Sequence, residues 1–212
     1  IEPYINAYKA IRVPEESIVS YKKVAETYQH EIESLGGSIK CSSEVIKINS
    51  FLEHKEIVLA SGEKIKADII IAAAGLYSDK LAKMLNIKIN NKQTLPFRGE
   101  YYLLKPEYNY FVKGLIYPVP NPSLPFLGVH FTRMINGGVE AGPNAVLALA
   151  REGYNWKTFD LNEFYESISY IGLQKFIVKY PLITFGELLR SLSKRLFVKS
   201  LHTIVYHTNT IA

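Results

Sequence analysis

The chain has 212 residues, of which 48% are hydrophobic, 21% charged and 12% aromatic, and its formal net charge is +5. The hydrophobic share excludes a disordered chain, and the single cysteine, Cys41, which we expect to be buried, excludes a disulfide-stapled scaffold. The longest apolar run is far shorter than the roughly 20 residues of a membrane-spanning helix, and the scattered positive charge predicts no nucleic-acid partner.

The first third of the chain is predicted to alternate helices and strands. Apolar residues at helical spacing over Tyr21–Leu35 predict a helix with one buried stripe. The continuous apolar segment Ala67–Ala73 predicts a strand covered on both faces, and a small-residue turn separates it from a predicted helix over Tyr77–Leu85. Two more strands are predicted at Ser38–Ile48 and Glu56–Ala60.

The middle of the chain differs in character. Segments rich in β-branched and aromatic residues alternate with turns rich in Pro and Gly, which predicts an antiparallel sheet. Its four predicted strands are Thr94–Lys105, Phe111–Val119, Phe126–Met134 and Gly138–Gly142. From Leu161 onward, apolar residues at helical spacing predict helices that Gly172 and Pro181 interrupt. The predicted fold class therefore combines α/β and α+β: a partial α/β layer, an antiparallel-sheet domain and C-terminal helices.

Two sites in this pattern could bind a ligand. The small-residue turn Ala74–Gly75–Leu76 would let a ligand approach the backbone closely, and the helix after it would offer N–H groups to a phosphate. The same small residues would equally let the strand and the helix pack together. Arg98 carries the planar fork that binds a carboxylate, unless it lies at the surface or pairs with Glu100 or Glu107.

Two further features concern the predicted sheet. His130 and Thr132 share one face of a strand, where the histidine suits acid–base chemistry or a structural hydrogen bond. The turn Gly142–Pro143–Asn144 is suited to place backbone groups against a cofactor ring, or is simply a turn. No metal site is predicted, because His202 and His207 are too far apart in sequence to share a helical face as ligands.

These features follow one another along the chain in a fixed order, together with several other segments. The segments are Ser17–Tyr21, Leu35–Gly37, Ala73–Asp79, Pro96–Tyr101, Val112–Pro120, Pro125–Thr132, Gly142–Ala145, Arg151–Tyr154 and Arg190–Arg195. Together they resemble the L-2-hydroxyglutarate dehydrogenase/oxidase group of FAD-dependent oxidoreductases, within the D-amino-acid-oxidase-like superfamily. The resemblance runs over nearly the whole chain, and the block Pro96–Tyr154 is its most specific part.

The resemblance implies an enzyme that oxidises the C2 hydroxyl of a dicarboxylate, L-2-hydroxyglutarate, to 2-oxoglutarate by hydride transfer to FAD. Electrons would then pass to a quinone or to oxygen. The implied location is the cytoplasm or the periphery of the inner membrane, which would be mitochondrial in a eukaryote. The alternatives are a non-catalytic remnant or binding module that keeps the substrate layer, and a related enzyme that oxidises an amine or glycerol 3-phosphate.

The resemblance also implies roles for individual residues. The cofactor-binding candidates are Val45, Ala74, Gly75, Leu76, Gly142 and Pro143. The substrate-binding candidates are Arg98, Tyr117, His130 and Asn144. Of these, Arg98 is expected to bind a substrate carboxylate, and His130 is also the catalytic candidate.

By the same resemblance, residues 1–17 belong to the substrate domain, 18–88 to a partial FAD-binding layer, 89–160 to the antiparallel-sheet substrate domain and 161–212 to a helical segment. One departure is large, because the sequence contains no GxGxxG pattern. That fingerprint seats the pyrophosphate of a dinucleotide on a helix N-terminus. We therefore expect a partial chain that by itself binds FAD weakly or not at all.

Overall fold

The computed structural model describes residues 2–120, 122, 127–202 and 204, and the chain divides into two compact units. One unit, Tyr21–Leu95, is called the meander unit below. The other, formed by Ile1–Ser20 and Pro96–Ala212, is called the sheet–helix unit. The division into substrate and FAD-binding segments made from the resemblance stays a prediction. Within the described residues, no helix is both long enough and apolar enough to cross a bilayer.

The meander unit is built around a small antiparallel sheet in the order β1-β2-β3. Gly62 makes the turn between the second and third strands, with a positive φ of 86° that favours glycine. The strands are β1 (Val45–Ser50), β2 (Lys55–Leu59) and β3 (Lys64–Ala67). Helix α1 (Tyr21–Ser34) precedes them, and a 3₁₀ turn (Gly75–Tyr77) leads into helix α2 (Ser78–Met84) after them.

Three predictions for this unit were wrong. Helix α1 forms as expected but buries none of its residues, and Cys41 is exposed rather than buried. The segment Ala67–Ala73 is not a covered strand: β3 ends at its first residue, and Ile69 and Ile71 are 79% and 88% exposed. A strand covered on both faces needs paired neighbours and a layer on each side. Because the sheet does not extend to this segment, its apolar character alone does not make it a strand.

The sheet–helix unit contains a second antiparallel sheet followed by four helices. Its strands are β4 (Phe97–Leu103), β5 (His130–Arg133) and β6 (Val139–Leu147), in the order β4-β6-β5. The helices are α3 (Leu161–Ser169), α4 (Ile171–Lys179), α5 (Pro181–Leu192) and α6 (Lys194–Leu201). The predicted antiparallel sheet and C-terminal helices are therefore confirmed. The parallel pairing of an α/β layer is not found in the described residues, because every strand pair there is antiparallel.

Several boundaries in this unit differ from the prediction. Phe111–Val119 is not a strand: its first residue ends a 3₁₀ segment, and only Ile116 makes a bridge, to Phe131. Strand β6 continues past Gly142 to Leu147. The helix interruption predicted at Gly172 falls instead at Tyr170, between α3 and α4, whereas Pro181 begins α5 as a residue with a preset φ can. Pro125, Phe126 and residues 205–212, which the predictions included, lie outside the described residues.

The core of the sheet–helix unit lies between its sheet and helix α6. Phe131 and Ala141 from the sheet pack with Phe197 and Leu201 from the helix, and all four are almost completely buried. The Tyr102 ring lies 4.7 Å from that of Phe197, measured between centroids. Burial of each large side chain contributes about 1.5–3 kcal/mol. This contact holds one face of the sheet against the C-terminal helices.

The N-terminal segment is bound to the same unit through two of its first residues. The Glu2 carboxylate accepts the backbone N–H groups of Lys113 and Gly114, at 2.9 Å and 2.7 Å. The Asn6 N–H donates to the Ile204 carbonyl at 2.7 Å. These bonds attach the start of the chain to segments of the same unit that lie far along the sequence.

We expect two isoleucine truncations in the meander unit to differ in their effect on stability, because one side chain is buried and the other is exposed. Ile48→Ala, at a site 7% exposed in β1, should lower the free energy of unfolding by about 2–5 kcal/mol because it leaves a cavity. Ile71→Ala should change it by less than about 0.5 kcal/mol, because that side chain is in solvent. Urea unfolding of both variants measures the difference. Equal losses would mean that Ala67–Ala73 is buried after all.

Candidate functional site

Strand β6 carries one residue more than β4 where the two strands pass Gly142. Glu100 pairs with Asn144, and Tyr102 pairs with Ala141, so a step of two residues on β4 matches a step of three on β6. An extra residue of this kind is a β-bulge, and it shifts the alternation of side chains by one. Ala141 and Asn144 therefore share the face that α5 and α6 cover, and Gly142 lies on the other face.

That other face, called the open face, carries His130 at its centre, with Tyr101 and Tyr117 on either side. His130 pairs with Gly142 between β5 and β6. Its ring stacks on Tyr117 at a centroid distance of 4.4 Å and meets the edge of Tyr101 at 6.4 Å. The Tyr117 hydroxyl lies 3.5 Å from that of Thr132, which confirms that His130 and Thr132 share one face. The two tyrosines are partly exposed, whereas His130 is only 8% exposed.

The surroundings of His130 determine its protonation. Its Nδ1 lies 3.1 Å from the Gly128 carbonyl oxygen, which can only accept, so Nδ1 must carry a proton. Burial lowers the pKa of His130 below its ordinary value, and the bond to Gly128 opposes this only in part. At neutral pH the imidazole is therefore uncharged, and its Nε2 has a free lone pair that can accept a proton.

Tyr101 is the complementary donor on the open face. Burial raises its pKa above the ordinary value, and the charge of Glu140 and the neighbouring Tyr117 raise it further. Its hydroxyl therefore stays protonated and can donate a hydrogen bond to a ligand oxygen. Sequence reasoning missed Tyr101 because a tyrosine on a strand is ordinarily a packing residue.

Gly142 is required by the ring of Tyr101. A Cβ at position 142 would lie 2.7 Å from Cδ1 of Tyr101 and 2.8 Å from the carbonyl oxygen of Glu100. Real Cβ atoms do not approach a neighbour so closely, so any other residue would displace the ring or the backbone. The glycine thus allows Tyr101 to lie over β6 next to His130.

Arg98 and Glu100 lie on the covered face instead. Arg98 is 7% exposed, and its Nε and Nη2 donate to Oε1 of Glu100 at 3.0 Å and 2.8 Å. The guanidinium also stacks over Trp156, with its carbon 4.3 Å from the ring centroid. The pairing with Glu100 is one of the alternatives that the sequence left open. Among the described residues, Nη1 of Arg98 is buried without a hydrogen-bond partner.

Asn144 joins the same side of the sheet to helix α5. It is completely buried, and its Nδ2 donates to the Glu187 carbonyl at 2.8 Å and to Oε2 of Glu100 at 3.4 Å. Its Oδ1 accepts from Nε of Arg190 at 3.1 Å, and Arg190 also pairs with Glu187. We call the side chains of Arg98, Glu100, Asn144, Glu187 and Arg190 the buried polar network.

The structure thus separates the four predicted substrate-binding residues into two pairs. His130 and Tyr117 lie together on the open face, whereas Arg98 and Asn144 belong to the buried polar network. Sequence reasoning did not identify Glu187 and Arg190 as partners of Asn144. An acidic and a basic residue three apart on a helix indicate a pair on one helical face, but not which strand they meet.

The predicted cofactor-binding residues occur in both units. Val45 begins β1, and Ala74, Gly75 and Leu76 form the turn before α2, all in the meander unit. Gly142 and Pro143 lie on β6 in the sheet–helix unit. Their roles toward a cofactor stay predictions.

The turn before α2 has an open backbone, and the helix that follows it is short. Gly75 has a φ of 51°, and a Cβ added there would meet no atom within 4 Å, so a ligand can approach this backbone closely. Helix α2, however, has only seven residues, and the Tyr77 N–H is donated to the Ala74 carbonyl. The backbone of the turn is therefore accessible to a ligand at Gly75, and the role of the following helix toward a phosphate stays a prediction.

Comparison with known proteins identifies a family that this chain matches. Residues 1–173 match the family described as FAD dependent oxidoreductase, or DAO. This match covers most of the chain and includes the whole of the second sheet.

Individual relatives are similar over nearly all of this chain. An L-2-hydroxyglutarate dehydrogenase of Indibacter alkaliphilus is 47% identical over 204 residues, which are 96% of this chain and 51% of that protein. Its namesake in Escherichia coli K12 is 41% identical over 91% of this chain and 46% of that protein. The mitochondrial L-2-hydroxyglutarate dehydrogenase of Nematostella vectensis is 39% identical over 97% and 48%. The chain thus spans about half the length of the curated relatives it matches.

We expect Arg98→Lys to act mainly on stability. Lysine keeps the charge but loses the two-nitrogen contact with Glu100 and the stacking on Trp156, which should lower the free energy of unfolding by about 1.5–3 kcal/mol. Arg195→Lys, at an exposed position, is the control and should change it by less than about 0.5 kcal/mol. Urea unfolding measures both. Unchanged stability with a KM raised about tenfold or more would instead assign Arg98 to a substrate carboxylate, as the resemblance implies.

Proposed function

The chain belongs to the family of FAD-dependent oxidoreductases, and from this premise we propose that it oxidises the C2 hydroxyl of L-2-hydroxyglutarate to 2-oxoglutarate. The observation that carries the proposal is the identity of 39–47% with proteins named L-2-hydroxyglutarate dehydrogenase over more than nine-tenths of this chain. The open face supports it, because a buried neutral histidine beside two phenols is suited to take a proton from an alcohol.

In this proposal His130 is the general base. Oxidation of a secondary alcohol removes a hydride from C2 and a proton from the hydroxyl, which leaves a C=O bond. Nε2 of His130 takes the proton, since Nδ1 is held as a donor by Gly128. When bound, FAD supplies the two-electron acceptor for the hydride. The hydroxyls of Tyr101 and Tyr117 donate hydrogen bonds to the substrate oxygens on the same face.

The cofactor contacts are proposed on the backbone. The open backbone of Gly75, with its neighbours Ala74 and Leu76, would lie against the dinucleotide, and Val45 would meet the adenine. Gly142 and Pro143 would face the flavin ring, since they lie beside His130 on the open face. These residues are proposed because the resemblance implies them, and the open space around Gly75 supports the assignment at that position.

The partners proposed here are those that the resemblance implies. The substrate is a small dicarboxylate, and the electrons pass on to a quinone or to oxygen. We propose a location in the cytoplasm or at the periphery of the inner membrane, which would be mitochondrial in a eukaryote. The mitochondrial location in a eukaryote is supported by the eukaryotic relatives, whose names describe them as mitochondrial.

A substrate panel tests the reaction itself. Because the chain is expected to bind FAD weakly, the purified protein is supplied with a large excess of FAD and a dye as electron acceptor. It should then reduce the dye with L-2-hydroxyglutarate and not with its D enantiomer. Glycine, sarcosine and glycerol 3-phosphate should give no turnover. Turnover with one of these three instead would assign the chain to another reaction of the superfamily. Binding of dicarboxylates without any turnover would favour a binding module.

We expect the rate to depend on the ionisation of His130. Because the base must be neutral, kcat/KM should be constant near neutral pH and fall only below pH 6.5, the ordinary histidine value, since burial lowers the pKa of His130. His130→Gln should abolish this acid limb and lower kcat about 10²–10⁴-fold. His30→Gln, which changes an exposed histidine of α1, is the control and should leave both unchanged. An acid limb that survives in His130→Gln would exclude His130 as the base.

A further inference from the structure

One turn of helix α5 makes three polar contacts with one short piece of strand β6, and a fourth contact joins Glu187 to Arg190 within the helix. The Glu187 carboxylate accepts the backbone N–H of Ala145 at 2.9 Å, and the Glu187 carbonyl accepts Nδ2 of Asn144 at 2.8 Å. Nε of Arg190 donates to Oδ1 of Asn144 at 3.1 Å, and its Nη2 donates to Glu187. The helix thus holds both the backbone and a side chain of this strand.

Asn144 has little capacity left for a ligand. An asparagine side chain offers two N–H donors and one carbonyl oxygen. Both donors are used, by Glu100 and Glu187, and the oxygen accepts from Arg190. The residue is also completely buried on the covered face. The second lone pair of Oδ1 is the hydrogen-bonding position that is left, and the complete burial of the residue closes it to a substrate.

The contacted segment lies next to the open face. Asn144 and Ala145 directly follow Gly142 and Pro143, and Gly142 is the residue that pairs with His130. The ring of Tyr101 lies against Gly142 with no space for a Cβ. A displacement of residues 144 and 145 would therefore be transmitted through one or two peptide units to the surroundings of His130.

We propose that Glu187 and Arg190 are positioning residues that act through Asn144 and Ala145 to hold Gly142 in register with His130 and Tyr101. This proposal rests on the proposed function, because it concerns the geometry in which His130 works as a base. It assigns Asn144 a role in positioning rather than in substrate binding. The proton-accepting group and the groups that position it then lie on opposite faces of one sheet.

The chemistry of the contacts suits this role. Hydrogen bonds that involve an ionised group are shorter and about twice as strong as neutral ones, and three of the four contacts are of this kind. The arrangement is also specific, since a shifted strand would take the N–H of Ala145 away from the Glu187 carboxylate and Oδ1 of Asn144 away from the Arg190 guanidinium. A displacement of about 1 Å at a reacting group costs about 10²-fold in rate.

The chain offers a matched control for Glu187. In the same unit, the Glu163 carboxylate on α3 accepts the backbone N–H of Arg151 at 2.8 Å, from a similarly half-buried position. Glu163→Ala removes one contact of the same type without touching β6. Glu187→Gln is the conservative variant, because its amide oxygen can still accept the N–H of Ala145.

The kinetic test compares these variants at a temperature well below their unfolding transitions. In the substrate assay above, Glu187→Ala should lower kcat about tenfold or more while KM changes less than about threefold. Glu187→Gln should recover most of that loss. Glu163→Ala should lose comparable stability in urea unfolding and keep kcat within about twofold. Equal kcat values for Glu187→Ala and Glu163→Ala would overturn the proposal, because a purely structural contact affects stability alone.

A spectroscopic test decides the proposal without turnover. In NMR spectra of the 212-residue chain, Glu187→Ala should shift the ring resonances of His130 and speed exchange of the Ala145 amide about tenfold or more, and Glu163→Ala should do neither. Unmoved His130 resonances in Glu187→Ala would overturn the proposal. If the unaltered chain oxidises no L-2-hydroxyglutarate, the proposed function fails in this chain, whereas the NMR comparison still decides whether α5 positions His130.

Discussion

The extra residue in strand β6 is the constraint on which the rest of the sheet–helix unit depends. Before it, Ala141 faces the apolar core under α6; after it, Asn144 faces the polar side of α5. Without the bulge, strict alternation would place Asn144 on the open face with Gly142. Because of the one-residue shift, successive residues of one strand contribute to the apolar core, to the open face and to the buried polar network.

Charge balance explains how the covered face tolerates so many ionised groups. The buried polar network contains two arginines and two glutamates, so their formal charges cancel, and Asn144 links the two ion pairs. Taking single charges out of water is costly, whereas paired and hydrogen-bonded charges lose much less. The network therefore holds β4, β6 and α5 together, and its charges are already neutralised by one another. Among the described residues, Nη1 of Arg98 is the network atom without a hydrogen-bond partner, and the open face, with His130 and two phenols, is where we propose that a substrate binds.

The two units differ in how well local sequence patterns predict them. In the sheet–helix unit, most predicted elements form, because the sheet and the helices bury each other's apolar faces. In the meander unit, the Ala67–Ala73 segment has the composition of a buried strand but remains in solvent. Composition reports what a segment could bury, but burial needs a partner surface, and that surface lies elsewhere in sequence. The same limit explains the exposed stripe of α1.

The sequence by itself determined the family and the antiparallel sheet with its helices. It also determined that the side chains of His130 and Thr132 lie on the same face of their strand. These rest on local spacing and on ordered motifs, which a linear pattern contains. The tertiary structure alone decided that Arg98 and Asn144 lie on the covered face, that Tyr101 and Tyr117 flank His130, and that Glu187 and Arg190 hold β6. The physical reason is that one bulge changes which side of a sheet each later residue faces, and that long-range partners are chosen by packing rather than by spacing.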